Sequence, residues 1–505
     1  MSLSPSSEPE LSPYARQNIL NATILVGAVL VGGWLRFRAL GVLDMTADEA
    51  PSWLAASAPT IGDAIRHGLE YNPGKLAAHD VVLHFWMLAF GDSITSIRAL
   101  SAFLGTLAIA LVFLVARELF TIEKDSADSF FAGERNTIAA LSALIFAVNV
   151  VAIRYSREGR MYGLMLAAAL IQLWFFLRAV RGGGLVNYLG IALFSVLAAA
   201  TSFVAFLLFL AEATAVLYAV RSGVSRWPYS WNVMVALASA GAIVACLTPW
   251  RLWIEKASFF GWIKPGYLTS YVLGFLSSAL TSPVVVVTLA LSVWGAIRGW
   301  QKYPEGVGFA LLWMFVPILP LAMWLGPMML MVVTIYSWTP LFAHRWALTS
   351  MVPLCMFVGL GIWELRASAA RFAALALVVL LAGIRIHSYD PASGDVEWGV
   401  QWRAATAAVL PELKAGRPVV VVPGYGKSVL LYYTRNDHVS PTLFSEDNQR
   451  AQMLILTDSA QSLFPEHFLN LRHYYRLQVA RLRGVSVLAT PFAVGESSEA
   501  VPREH

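Results

Sequence analysis

A short acidic stretch, LDMTADEAPSW at residues 43–53, follows the first apolar run of the chain. Asp48 and Glu49 are neighbours, so their side chains point in different directions and only one can face a given reactive atom. Pro51 suits the first residue of a helix, which places both acids just before a helix N-terminus. The positive end of that helix favours an ionised carboxylate, able to act as a general base, a cation ligand or a proton relay. The alternative is a solvated loop whose acids only cap the helix, and Asp44 is predicted to be solvated at the membrane edge.

Three arginines and a glutamate lie in IRYSREGRMYG, residues 153–163, between two apolar runs. Charged groups at a membrane boundary are costly unless they are paired or hydrated. If the segment is helical, Arg154 and Glu158 are four residues apart and can pair. Arg157 and Arg160 then share a neighbouring face, and their two guanidinium groups can bind a phosphate. The alternative is that these arginines only reach to lipid headgroups.

Two further segments carry candidate ligands. In PLFAHRWAL, residues 340–348, His344 and Arg345 enter an apolar run, where Arg345 can bind a phosphate or reach to lipid headgroups. In YNPGKLAAHD, a Pro-Gly turn places Lys75 and His79 before an apolar run of about 15 residues, too short to span a membrane easily. That run is predicted to form an interfacial or re-entrant helix.

Zinc binding by a histidine pair, cysteine chemistry and nucleic acid binding are not predicted. His79 and His84 are five residues apart, which puts them on different faces of a helix, so they do not form a zinc pair. Cys246 and Cys355 lie inside predicted spans, so they indicate neither a disulfide framework nor a metal cluster. The formal charge of +5 is spread over many loops. A nucleic acid partner is therefore not expected.

The composition predicts an integral membrane protein. Of the 505 residues, 58% are hydrophobic and 13% are charged, whereas about 25% of an ordinary soluble domain is charged. About eleven apolar runs are long enough to cross a bilayer as helices. They lie at residues 18–39, 98–120, 136–153, 160–180, 185–203, 204–221, 231–250, 272–297, 307–328, 343–364 and 370–387.

The predicted organisation has three parts: a polar tail at 1–17, a transmembrane module at 18–388 with an extracytoplasmic loop at 40–97, and an extracytoplasmic α/β domain at 389–505. Basic loops favour a cytoplasmic N-terminus, although the opposite loops are basic as well. The last part is indicated by short β-branched runs, RPVVVVP, QMLILTD and GVSVLATP, that alternate with helical stretches such as FPEHFLNLRHYYRLQVARL. PGYGKS at 423–428 lacks the first glycine of a phosphate-binding loop and is predicted to be a strand-to-helix turn.

The order of the motifs resembles the GT-C superfamily of polyprenyl-phosphate-dependent glycosyltransferases, in particular the protein O-mannosyltransferase and aminoarabinose transferase types. The resemblance lies in a first span followed by DE, then FGDSxxxxR, ARELF, YSREGRMYG and PLFAHRWAL, over roughly residues 20–435. VEWGVQWRAATAAVL is similar to the segment that opens the outer domain of these enzymes. The resemblance implies an α-helical polytopic membrane protein with a small C-terminal α/β domain.

The resemblance also implies a reaction. A sugar moves from a polyprenyl-phosphate donor to an extracytoplasmic glycan, lipid or protein acceptor, with inversion, in a bacterial plasma membrane. By this resemblance Asp48 is the general base, Glu49 a second acid, and the arginines 157, 160 and 345 neutralise the departing phosphate. The other substrate-binding candidates are Lys75, His79, Glu158, Tyr162 and His344. No cofactor is assigned, and participation of a divalent metal ion is left open.

Two departures from the family pattern leave donor and acceptor undetermined. Asn72-Pro73-Gly74-Lys75 stands where relatives often have two prolines and an aromatic pair, and Thr201-Ser202 stands where many have Thr-His. Two other functions remain open. A transporter or flippase of a lipid-linked sugar would use the acids as proton relays, and predicts inverted repeats and charges near mid-membrane, neither of which is clear in the sequence. A non-catalytic scaffold would bind partners through the tail.

Overall fold

The computed structural model describes most of the chain, in fifteen stretches. The described residues are 12–72, 75–121, 133–202, 205–223, 227–255, 283–315, 348–388, 400–422, 424, 426–437, 439–445, 453–457, 475, 477–482 and 485–489. His344 and Arg345 lie outside the described residues, as do parts of the predicted spans at 272–297, 307–328 and 343–364. The predicted number of spans therefore stays a prediction.

The chain divides into two compact units. The membrane unit comprises Met1–Arg38, Pro73–His79 and Arg98–His387, and the loop-tail unit comprises Ala39–Asn72, Asp80–Ile97 and Ser388–His505. The acidic stretch therefore folds in one unit with the C-terminal tail. The predicted domain boundaries at residues 17 and 388 stay predictions.

The described part of the chain up to residue 388 is helical. Its first helices are α1 (Pro13–Phe37), α2 (Ala50–Ala56), α3 (Ile61–Tyr71), α4 (Ala78–Phe90), α5 (Ile94–Leu119), α6 (Glu134–Ala147), α7 (Val150–Ser156) and α8 (Tyr162–Gly182). They are followed by α9 (Leu185–Thr201), α10 (Ala205–Ser222), α11 (Ser230–Leu247), α12 (Trp250–Glu255), α13 (Pro283–Lys302), α14 (Pro304–Phe315), α15 (Leu348–Trp363) and α16 (Ser368–Ser388).

The membrane unit contains several helices that can span a bilayer. Among the described residues, six helices are long and apolar enough to cross a bilayer, namely Ala15–Phe37, Ile94–Leu119, Tyr162–Gly182, Ser230–Leu247, Pro283–Lys302 and Ser368–His387. Close helix contacts are possible because small residues lie between them. For example, a Cβ added at Gly361 would lie 2.1 Å from the carbonyl oxygen of Leu291. The prediction of an integral membrane protein is confirmed.

One predicted span is broken. The sequence predicted a continuous helix over residues 136–153, but α6 ends at Ala147 and α7 begins at Val150, with a bend of 62° between them. Asn149 explains the new start, because its side-chain oxygen accepts a hydrogen bond from the Ala152 N–H at 2.9 Å. Asparagine favours such capping over the helix interior. The predicted helix after the Pro-Gly turn is present as α4, 13 residues long.

The tail of the loop-tail unit contains a five-stranded sheet. Its strands are β1 (Val419–Val422), β2 (Phe444–Ser445), β3 (Met453–Thr457), β4 (Leu477–Leu482) and β5 (Val485–Ala489), in the order β2-β1-β3-β5-β4. β1 pairs in parallel with β2 and β3, whereas β5 is antiparallel to β3 and β4. Two helices belong to the same region, α17 (Trp402–Lys414) and α18 (Gly426–Thr434). The small α/β domain and its three β-branched strands are confirmed.

The turn between β1 and α18 is confirmed as well, since β1 ends at Val422 and α18 begins at Gly426. One tail prediction was wrong. The stretch FPEHFLNLRHYYRLQVARL was predicted to be helical, but Leu477–Leu482 forms β4, paired with β5 along its length. Residues 464–474 and 476 of this stretch lie outside the described residues. All five residues of β5 are buried, and the backbone groups along one edge of β5 need a hydrogen-bonding partner strand. Pairing with β5 therefore outweighs the local helix propensity of this stretch.

Candidate functional site

The acidic turn is held by reciprocal hydrogen bonds between Thr46 and Glu49. The Glu49 carboxylate accepts from the Thr46 N–H at 2.9 Å, and the Thr46 hydroxyl oxygen accepts from the Glu49 N–H at 3.2 Å. This is a capping box, in which two otherwise unsatisfied donors at a helix start are paired. α2 begins directly after it, with Pro51 at the second helical position and not at the first as predicted. Both of these hydrogen bonds lie within the turn itself.

The capping box separates the two candidate acids. Glu49 is 1% exposed and one of its carboxylate oxygens is engaged within its own turn. Asp48 is exposed. The prediction that the two neighbours face different directions is consistent with this difference. Glu49 therefore caps its own turn, whereas Asp48 is exposed on that turn.

Asp44 is not solvated as predicted. Its carboxylate accepts a hydrogen bond from the Arg403 backbone N–H at 2.9 Å and lies 3.6 Å from the Arg403 Nε. Arg403 is the second residue of α17, so Asp44 caps this helix from a distant part of the chain. The Arg403 side chain is 62% exposed, and an ion pair at such a position contributes little because solvent screens it. The backbone hydrogen bond is the stronger part of the contact.

Tyr433 on α18 holds the acidic turn from the other side. Its hydroxyl oxygen accepts a hydrogen bond from the Met45 N–H at 2.9 Å. The neighbouring Tyr432 packs edge-on against Trp53 of α2, with ring centroids 5.1 Å apart. Burial raises the pKa of the Tyr433 hydroxyl well above its usual range, and burial also raises the pKa of Tyr432. Both phenols therefore stay neutral at physiological pH.

The FGDS motif is tied to the same helix. Asp92 accepts a hydrogen bond from the Arg435 Nε at 2.9 Å, and the Arg435 guanidinium lies 4.0 Å from the centre of the Tyr432 ring. Within the loop-tail unit, α18 and the residue just after it therefore contact both ends of the predicted loop 40–97. The acidic turn is one of these ends.

In the membrane unit, the arginine segment follows the short helix α7. Arg154 and Glu158 pair as predicted, with the Arg154 Nε 3.7 Å from a Glu158 oxygen. However, α7 ends at Ser156, so Arg157 and Arg160 do not lie on a helical face. The prediction that these two arginines share such a face was wrong. Their positions are set by individual hydrogen bonds.

Two hydrogen bonds fix the non-helical arginines. Arg157 donates from a terminal guanidinium nitrogen to the carbonyl oxygen of Arg38 at 2.7 Å. The Arg160 carbonyl oxygen accepts from the Ser101 hydroxyl at 3.1 Å, and the Arg160 side chain is buried. The Arg157 side chain and the Arg160 backbone are thus each hydrogen-bonded to another part of the membrane unit.

The remaining candidates in the membrane unit are buried. Tyr162, the first residue of α8, packs edge-on against Tyr155 with ring centroids 5.0 Å apart. Lys75 and His79 are both buried, on either side of Leu76, whose N–H donates to the Ala200 carbonyl oxygen at 2.9 Å. A buried lysine is unusual in a protein interior and calls for an anionic or polar neighbour.

Clusters of candidate metal ligands are absent from the described residues. Within them no group of three or more His, Cys, Asp and Glu side chains is placed to hold a metal ion. His344 and Arg345, the candidates of the third motif, lie outside the described residues. Their predicted roles stay predictions.

Several residues around the site were missed by sequence reasoning. The Thr46-x-x-Glu49 spacing is a recognisable capping-box signal, and Arg36 stands out as a charge near the end of an otherwise apolar first span. Glu212 is an acid in the middle of a predicted span. In contrast, no local signal identifies Tyr433, because its partner Met45 lies 388 residues away in the sequence.

Comparison with solved structures identifies the fold. ArnT from Cupriavidus metallidurans in the apo state matches with a TM-score of 0.55 and 15% identity, over 94% of this chain and 99% of that chain. The oligosaccharyltransferase from Archaeoglobus fulgidus, tethered to an acceptor peptide, matches with a TM-score of 0.52 and 13% identity, over 90% of this chain and 72% of that chain. ArnT bound to undecaprenyl phosphate matches with a TM-score of 0.50 and 12% identity, over 95% of this chain and 99% of that chain. No protein-family model matches the sequence, and no curated protein matches it either.

These neighbours have the GT-C membrane fold, and the chain shares that fold. The fold class implied by the sequence resemblance is confirmed. At 12–15% identity the likeness establishes the architecture alone.

Proposed function

We propose that the chain is a membrane glycosyltransferase that moves a sugar from a polyprenyl-phosphate donor to an extracytoplasmic acceptor in a bacterial plasma membrane, with inversion at the anomeric carbon. The observation that supports the proposal is the geometry of the acidic turn. In a chain of this fold, Asp48 is exposed on a turn that its neighbour Glu49 and the distant Tyr433 both hold in place. A rigid turn presenting one carboxylate suits a general base.

Asp48 acts in this proposal on the acceptor. Its carboxylate takes the proton of the acceptor hydroxyl, and the hydroxyl oxygen forms a bond to the anomeric carbon of the donor sugar. The bond between that carbon and the phosphate oxygen breaks on the opposite side, so the configuration inverts. The electron pair of the broken bond leaves with the polyprenyl phosphate.

Arginines assist the departure of the phosphate. Arg157 and Arg160 are proposed to neutralise the negative charge that develops on the leaving oxygen, together with Arg345. Lys75, His79, Glu158, Tyr162 and His344 are proposed to line the substrate site. The ArnT structure bound to undecaprenyl phosphate shares the fold of this chain. This likeness supports a lipid phosphate as part of the donor.

The base is tested by transfer assays on purified protein in lipid nanodiscs. The wild type and Asp48→Asn are incubated with a panel of radiolabelled polyprenyl-phosphate sugars and candidate acceptors. We expect transfer from at least one donor and a loss of at least about a hundredfold in Asp48→Asn, the size typical of a removed general base. Glu70→Gln, which removes an exposed acid of α3 in the same unit, is the matched control and should transfer normally. Consumption of no donor, or equal activity of Asp48→Asn, would contradict the proposal.

A transporter of a lipid-linked sugar is the second candidate, and one observation favours it. Glu212 on α10 is completely buried in the membrane unit and accepts a hydrogen bond from the Gln172 amide at 2.9 Å. An acid inside a membrane protein is costly and commonly functional. Transport without transfer by the purified protein would support this second candidate.

A further inference from the structure

We propose that Arg36 is a positioning residue that holds the break between α6 and α7 and thereby aims the arginine segment, defined as residues 154–160. The inference rests on the proposed function in one respect, namely that the arginine segment binds the donor phosphate. Arg36 was not among the residues singled out by the sequence, and it contacts no reacting group in the proposed mechanism.

The Arg36 guanidinium lies at the carboxyl end of α6. One terminal nitrogen donates to the Ala147 carbonyl oxygen at 2.9 Å, and the other donates to the Phe146 carbonyl oxygen at 3.4 Å. The first nitrogen also donates to the Gly32 carbonyl oxygen, one turn earlier on α1, at 2.9 Å. The side chain is completely buried, so Arg36 is a fixed part of the membrane unit.

The position of the Arg36 guanidinium satisfies hydrogen-bond acceptors at the end of α6. The last carbonyl groups of a helix have no partner within the helix, and inside a membrane no bulk water is available to satisfy them. The end of α6 has such carbonyl groups, because the chain bends by 62° before α7 begins. A guanidinium group supplies several donors in one plane and a positive charge at the negative end of the helix. Arg36 therefore supplies donors to the last carbonyl groups of α6 at the point where the helix breaks.

The C-terminal end of α1 is also hydrogen-bonded to the residue that follows α7. Arg157, the residue after α7, donates to the carbonyl oxygen of Arg38, two residues beyond Arg36. α7 is only seven residues long, so fixing its two flanks fixes its direction. Arg36 and the Arg38 backbone together determine where the arginine segment points.

A direct role in phosphate binding fits Arg36 less well. The guanidinium has no exposed surface, and both terminal nitrogens already donate to carbonyl oxygens. A phosphate ligand would have to displace these hydrogen bonds. The geometry points to an indirect role through α7.

Hydrogen–deuterium exchange tests the positioning role without any substrate. Full-length wild type, Arg36→Met and Arg36→Lys are compared in nanodiscs, and the amides of residues 148–160 are followed. We expect exchange to be at least tenfold faster in Arg36→Met and intermediate in Arg36→Lys, which keeps the charge but not the planar fork. If Arg36→Met does not fold, the inference is tested with Arg36→Lys alone. Exchange at residues 148–160 as slow in Arg36→Lys as in the wild type would then overturn the inference.

Asn21→Leu is the matched control. Asn21 donates to the Thr137 hydroxyl at 3.0 Å, so it joins the same two helices, α1 and α6, at their opposite ends. Loss of this buried polar contact should leave exchange at residues 148–160 unchanged. Equal acceleration in Asn21→Leu and Arg36→Met would show general loosening of the helix pair and would overturn the inference.

The functional half is measured as binding of undecaprenyl phosphate to the same samples. We expect affinity to fall about tenfold in Arg36→Met and not in Asn21→Leu, with the acceptor KM unchanged. If the wild type binds no undecaprenyl phosphate, the proposed function fails while the exchange data still judge the positioning role. If exchange accelerates but affinity is unchanged, the arginine segment does not bind the phosphate and the inference is overturned.

Discussion

The hydroxyl oxygen of Tyr433 accepts a hydrogen bond from the backbone N–H of Met45 at 2.9 Å. Met45 directly precedes the Thr46–Glu49 capping box, and Tyr433 belongs to the helix that follows the first strand of the tail. The position of the candidate base Asp48 therefore depends on the C-terminal part of the chain. The tail contributes to the site by holding its acidic turn.

Replacing Tyr433 by phenylalanine removes this acceptor and little else. A hydrogen bond of this kind contributes about 0.5–1.5 kcal/mol to stability, so the protein should still fold. Small displacements of a catalytic group reduce rates far more than they reduce stability. We expect Tyr433→Phe to lower kcat by roughly tenfold with the donor KM nearly unchanged, measured in the nanodisc transfer assay.

Tyr71→Phe serves as the control, because Tyr71 is an exposed residue at the end of α3 in the same unit. It should transfer at the wild-type rate. A Tyr433→Phe protein as active as the wild type would show that the acidic turn is held without this hydrogen bond.

The raised pKa of Tyr433 predicts a dependence of stability on alkaline pH. Because burial raises the pKa in the folded state above the ordinary value of about 10, the neutral phenol is preferred in the folded protein. Its contribution is fully present below about pH 10 and is lost as the pH rises through the folded-state pKa. We expect Tm to fall above about pH 10, and to fall less steeply in Tyr433→Phe, by thermal denaturation at a series of pH values. Parallel curves for the two proteins would contradict the assignment.

Much of this fold could be predicted from patterns that are local in the sequence. Apolar runs indicated membrane helices, and β-branched runs indicated β1, β3 and β5. Both patterns are local, because each reflects the burial of side chains that are close together in the sequence. The α6–α7 break was less visible. Asn149 lies in an apolar context, and only its side-chain bond to Ala152 shows that it starts a new helix.

The residue types proposed for the site could be read from the sequence, whereas the contacts that hold these residues in place could not. Asp48 and Arg157 were identified because charges are costly beside a membrane. Asp44, however, was expected to be solvated, although its carboxylate caps α17 at Arg403, 359 residues away. Contacts at such separation leave no periodicity or spacing in the sequence. Tyr433 was missed for the same reason.

Gly105 permits α5 to approach the end of α7. A Cβ added there would lie 2.1 Å from the Ser156 hydroxyl oxygen and 2.5 Å from the Ser156 Cβ. The clash is with a short, buried side chain that cannot swing away, so the backbone has to shift. We expect Gly105→Ala to destabilise the protein by about 1–3 kcal/mol and to weaken binding of undecaprenyl phosphate, since α7 leads into the arginine segment.

Removal of the opposing side chain tests this interpretation. Gly105→Ala combined with Ser156→Gly should recover most of the lost Tm and the lost lipid affinity. Gly27→Ala, on α1 with open space around it, is the control and should lower neither quantity, because alanine is favoured over glycine inside a helix. Failure of the double variant to recover would mean that Gly105 is required for another reason.

Substitutions of Glu212 distinguish a structural role of its carboxylate from a role as a proton relay inside the membrane unit. Its carboxylate accepts from the Gln172 amide, and both side chains are fully buried. Glu212→Gln keeps an acceptor for this amide but cannot exchange a proton, so we expect normal sugar transfer and nearly unchanged Tm.

Glu212→Leu leaves the buried Gln172 amide without this acceptor and should lower the free energy of unfolding by about 1–3 kcal/mol. The pair Glu212→Leu and Gln172→Leu removes both polar groups and should regain most of that stability, by thermal denaturation in nanodiscs. If the wild type translocates a lipid-linked sugar without transferring it, and Glu212→Gln loses this translocation with unchanged Tm, a proton-coupled transporter is favoured instead.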